Sequence, residues 1–72
     1  MKYLYNDATF EAEDATNLVR QLHEVSTIQA EDDATWMKDT SEALSPMGMS
    51  IRWDTPELFV QDLEKHGLIK RV

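Results

Sequence analysis

Cysteine is missing from the 72 residues of this chain. No disulfide can staple the fold, no thiolate can hold a metal ion, and no thiol can serve as a nucleophile. Small secreted domains are usually disulfide-dense, so the gap fits a reducing compartment, and a cytoplasmic location is expected. Glycine and proline are scarce as well, with two of each. Gly48 and Gly67 stand alone, which excludes a Gly-rich loop of the kind that cradles phosphate. No run approaches the roughly 20 apolar residues of a membrane span. No apolar stretch follows Lys2, so a secretory leader is not expected either.

Cations are the next shortage. Seven Lys and Arg face fourteen Asp and Glu, a net charge of −7. Two of the seven, Lys70 and Arg71, fall within the last three residues, so residues 1–69 carry five cations against all fourteen acids, or −9. Such a surface repels phosphate backbones, and direct nucleic-acid binding is not expected. It favours basic protein partners, although acidity by itself also serves solubility. Disorder is not indicated, because 42% of the residues are hydrophobic and they recur periodically. The length allows one domain, 1–72, with one core that buries about 60% of the surface of the unfolded chain.

The pattern of what is present predicts a small α+β domain. Lys2–Tyr5 and 8–12 alternate and are β-prone, with Asn6-Asp7 between them as turn residues, so they form a hairpin. Tyr3 and Tyr5 share one face and Leu4 takes the other. A helix over 14–26 follows, capped by Asp14, with Leu18, Val19, Leu22 and Val25 as its apolar stripe. A second helix over 32–44 starts from Asp32 or Asp33 and ends at Ser45-Pro46-Met47-Gly48, where Pro46 disfavours helical geometry at Ser45. Met49, Ile51 and Trp53 alternate with Ser50 and Arg52, the pattern of a half-buried strand over 49–53.

Thr55-Pro56-Glu57 opens a third helix over 55–66, with a hydroxyl cap, Pro at the first helical position and an acid in the first turn. Gly67 suits the left-handed residue after it, with Leu68 folding back on Leu63. Leu68–Val72 can add a last strand. The expected order is β-β-α-α-β-α-β: a two-layer domain with a three- or four-stranded, mainly antiparallel sheet and three helices on one face. Leu18, Leu22, Phe10, Ile51, Phe59 and Leu63 are the expected deep core.

Catalytic machinery is not legible. His23 sits at the edge of an apolar stripe, and His66 ends the third helix four residues after Asp62, where an imidazolium suits the carboxylate and the helix C-terminus. Nothing in the sequence places a nucleophile or an orienting group beside either. No pair of histidines has ligand spacing, and the consecutive acids Glu31-Asp32-Asp33 lack the alternation and glycine of a calcium loop. Serines 26, 41, 45 and 50 lie in no nucleophile motif. The chain is expected to be no enzyme, with no metal and no cofactor.

Large apolar residues carry the remaining signal. Trp36, Met37, Met47, Met49 and Trp53 concentrate in the second helix, its exit and the following segment. Methionine and tryptophan suit a core, yet interface centres are enriched in the same residues. A core of this size cannot easily enclose two Trp, four Met, two Tyr and two Phe together with its aliphatic residues. These five are therefore the expected contact surface of a protein-interaction or regulatory module. The partner is another protein, or a second copy paired along the Tyr3–Tyr5 edge or the C-terminal strand. The alternative is an acidic inhibitor, of the kind carried by phages and mobile elements, that imitates nucleic-acid charge through Glu11, Glu13, Asp14, Glu31, Asp32 and Asp33.

Overall fold

Asn6 and Asp7 both adopt positive φ, 49° and 65°, in the computed structural model, which describes residues 1–72. Two left-handed central residues make a primed turn, whose twist matches that of the strands it joins. The turn links β1 (Lys2–Tyr5) to β2 (Ala8–Glu11), with Tyr3 opposite Phe10 and Leu4 opposite Thr9. The Ala12 amide donates to the Met1 carbonyl at 2.8 Å and closes the open end of the hairpin.

Three helices follow, each begun by a side-chain cap. Asp14 accepts from the Asn17 amide at the start of α1 (Ala15–Val25), Asp32 from Thr35 at the start of α2 (Asp33–Leu44), and Thr55 from Leu58 at the start of α3 (Pro56–Lys65). In each case the hydroxyl or carboxylate oxygen satisfies one of the amides that a helix start leaves unpaired. The third helix ends as its sequence requires. Gly67 takes φ +76°, the Leu68 amide reaches the Leu63 carbonyl at 2.9 Å, and the Gly67 amide reaches Glu64.

The exit of α2 departs from expectation. Ser45 remains helical despite Pro46, and residues Ser45–Met47 make one turn of 3-10 helix. Proline is tolerated there because it occupies the start of that turn, where its missing N–H is not needed. Gly48, at φ +82°, is the residue that turns the chain away.

The strand expected over 49–53 does not form. The third strand is instead β3 (Lys70–Arg71), antiparallel to β1, which gives the sheet order β2-β1-β3. Tyr3 pairs with Arg71, so β1 has partners on both sides and no place is left beside it for residues 49–53. Side chains take up that segment's backbone groups: the Ser41 hydroxyl donates to the Ile51 carbonyl, and the Arg52 amide donates to Asp62. Arg71 holds the charged terminal strand in place, lying 5.6 Å from the Tyr3 ring centroid with its guanidinium donating to the Tyr3 hydroxyl.

The helices cover the sheet face that carries Tyr3, and Lys2, Leu4, Thr9, Glu11 and Lys70 occupy the other. One core joins the two layers, centred on Tyr3, Leu18, Val19 and Phe59. Leu22, Ile51 and Leu63 are buried as expected. Phe10 is only half-buried at the rim of the core, because β2 is an edge strand; its ring lies 6.3 Å from that of Tyr5. Val25 is exposed at the last turn of α1. No helix is long and apolar enough to cross a membrane.

Candidate functional site

The five residues marked by the sequence are divided by the fold. Trp36 and Met37 lie on the inward face of α2, each 4% exposed, and belong to the core. Trp36 is wedged between the His23 ring, stacked at 5.4 Å, and the Phe59 ring, edge-on at 5.5 Å. A contact surface cannot include them without opening the core. Met49 is half-buried, while Met47 and Trp53 are 70% and 43% exposed. The exposed members thus sit on the connection between α2 and α3.

That connection is pinned at the two residues before its tryptophan. Ile51 is buried, and its carbonyl is held by Ser41. Arg52 is clamped by Asp62 on α3: its amide, Nε and Nη2 all donate to the carboxylate, at 2.8, 2.9 and 2.8 Å. Asp62 is the one buried charged residue in the protein. The Arg52 guanidinium and amide hold its carboxyl down at about 2, well below the ordinary 3.8. Trp53 follows directly, with the Lys38 ammonium 5.8 Å from its ring centroid. The arrangement presents an aromatic ring to solvent next to a backbone held at Ile51 and Arg52.

His66 makes no side-chain hydrogen bond or ion pair with Asp62, whose carboxylate is taken up by Arg52. His23 is the histidine that acquires a partner. Its Nδ1 lies 2.9 Å from Asp33 Oδ1, and Arg20 approaches the same carboxylate at 3.6 Å. Sequence reasoning missed this pair, whose members are separated by the polar joint between α1 and α2. The depression beside it is lined by Arg20, Glu24, Glu31 and Asp32, with no hydroxyl or amine nucleophile. No three His, Asp or Glu side chains converge to hold a metal ion.

Five of the six acids of the charge-imitation reading fall into two groups. Glu13 and Asp14 border a depression with Glu57, Glu64 and Arg71, whereas Glu31, Asp32 and Asp33 border the one beside His23. Asp14 and Asp32 are also engaged as helix caps, and the Thr35 backbone amide lowers the pKa of Asp32. Pairing along Tyr3–Tyr5 is closed to a second copy, since β1 is the central strand. The free edges are β2 and the two-residue β3, and Gln21 already covers the Glu11 carbonyl on β2 at 2.8 Å.

Comparison of the chain with protein-family models, curated proteins and solved structures finds no significant match to any of them.

Proposed function

We propose that the protein is a non-enzymatic protein-interaction module of the cytoplasm, with Trp53 as its anchor and Met47 and Met49 as adaptable neighbours. The observation that carries this reading is the exposure of Trp53 directly after the Arg52–Asp62 clamp. A 43%-exposed tryptophan follows a residue clamped by three hydrogen bonds to a buried carboxylate. Binding hot spots are enriched in tryptophan, and an anchor already ordered in the free protein loses little conformational freedom on binding. Methionine suits the surrounding contact because its flexible thioether adapts to irregular surfaces. Net charge of −7 favours a partner with a basic rim around the pocket that receives the ring.

The test is an affinity capture that compares the parent with Trp53→Ala, together with sedimentation of each alone. The reading requires that a partner, or a second copy, associate with the parent and be lost by a folded Trp53→Ala protein. Retention at full strength by that variant, or no association by the parent, contradicts it.

A further inference from the structure

A second surface uses none of the residues around Trp53: the outer edge of β2. Met1 and Ala12 exchange both backbone bonds, the Met1 amine donating to the Ala12 carbonyl at 2.9 Å and the Ala12 amide to the Met1 carbonyl at 2.8 Å. Facing pairs of an antiparallel ladder alternate between bonded and non-bonded, so Tyr3–Phe10 and Tyr5–Ala8 are the next bonded pairs. Thr9 and Glu11 therefore turn their N–H and C=O groups away from β1. The Gln21 side chain takes the Glu11 carbonyl. The Thr9 N–H, the Thr9 C=O and the Glu11 N–H are left without a partner in the protein.

Sheet edges are commonly guarded by lysine, proline, a bulge or extreme shortness. The β3 edge has two such guards, because it is two residues long and both are cations. The β2 edge has no lysine or proline, its register runs without a bulge, and α1 reaches it only through Gln21. Ala8 and Thr9 are exposed, and the half-buried rings of Tyr5 and Phe10 lie beside them. An added strand thus meets main-chain partners and an apolar surface together.

Charge decides what that strand is. Asp7 and Glu11 stand two residues to either side of Thr9, both exposed and neither in an ion pair. Two copies paired about Thr9 would set Asp7 of one beside Glu11 of the other, and like charges across strands are destabilising. A strand with a cation at each end meets an acid at each end, whichever way it runs.

We infer that the β2 edge takes up an extended basic segment of another protein as a fourth strand, bonded to the Thr9 N–H and C=O and the Glu11 N–H. Its side chains alternate. The residue opposite Thr9 and the cations two positions away lie over the bare sheet face, and the apolar residues between them lie against Phe10 and Ala8.

Titration of ¹⁵N-labelled protein with a capped peptide, lysine-valine-threonine-valine-lysine, tests this. The Thr9 and Glu11 amides are expected to shift most. A peptide with glutamate in place of both lysines should bind about tenfold more weakly. Methylating the nitrogen of the central threonine, which removes a main-chain donor, should abolish binding. Thr9→Pro should abolish it too, at a position where proline is tolerated because the N–H faces solvent, with the cooperative thermal transition kept. If Thr9→Pro fails to fold, the N-methylated peptide alone decides. Trp53→Ala should bind the peptide as the parent does, which separates this edge from the Trp53 surface. No shift at Thr9 or Glu11, or undiminished binding of the N-methylated peptide, would overturn the site. Equal binding of the glutamate peptide would overturn the partner's charge. A Thr9 shift that grows with protein concentration alone would assign the edge to a second copy and overturn the partner.

Discussion

Arg52 and Asp62 are joined at three points, through the arginine's amide, Nε and Nη2, although the guanidinium is half-exposed and the carboxylate is buried. The pair ties the connection between α2 and α3 to the middle of α3. It thereby sets where residue 53 emerges. Asp62→Ala should destabilise the protein by about 2 kcal/mol, because it leaves the Arg52 amide without its partner as well as breaking the ion pair. In a domain of this size that corresponds to a fall in Tm of roughly 10 °C. Calorimetry reads the change, and a Tm within a degree or two of the parent would show that the clamp contributes nothing.

The same carboxylate gives the protein a pH response of defined sign. Its pKa is about 2 in the folded state against 3.8 for an ordinary carboxyl. A group with a depressed folded value stabilises the protein above its unfolded pKa, and the contribution is lost as pH falls towards the folded one. Stability should therefore drop between about pH 4 and pH 2, and Asp62→Asn should flatten that part of the profile. Urea unfolding across this range is the check. Equal acid sensitivity in parent and variant would assign the loss to other carboxylates.

Core truncation gives a larger effect. Phe59 and Leu63 on α3 belong to the core and have almost no exposure. Replacing either by Ala should cost about 2–5 kcal/mol, through lost burial and the cavity left behind. The truncation is expected to unfold a marginal domain near room temperature, read as loss of the cooperative thermal transition.

The hairpin turn offers a change in the opposite direction. Asp7 holds φ 65° at a position where glycine meets no steric penalty. Asp7→Gly creates the Asn-Gly pair favoured in primed turns and should raise stability by up to about 1 kcal/mol. A lowered Tm would mean that the Asp7 side chain contributes more than its backbone strain removes.

Helix positions were legible because their signals are local. Asp14, Asp32 and Thr55 each stand where the cap is found, and Gly67 closes α3 within two residues of its last turn. Pairing across the sheet was not legible. Residues 49–53 alternate as a strand does, and Ile51 is buried accordingly, yet the place beside β1 goes to two charged residues at the end of the chain. The alternation holds at Ile51 but not at Trp53, which is 43% exposed, and it says nothing about which backbone wins the neighbouring position.

The division of the two tryptophans was hidden for the same reason. Trp36 is buried by His23 and Phe59, which approach from α1 and α3, and no spacing within α2 reveals them. The His23–Asp33 and Arg52–Asp62 pairs each join residues of different elements. Charge sequence alone offers many alternative partners among fourteen acids.

Position 53 itself is the most direct test of the proposed interaction. A photo-crosslinking residue placed there, and a control placed at exposed Glu24 on α1, would be activated in cells of the native host. A discrete adduct, with another protein or a second copy of this chain, is expected from position 53 and none from position 24. No adduct from position 53, or the same adducts from both positions, would contradict it.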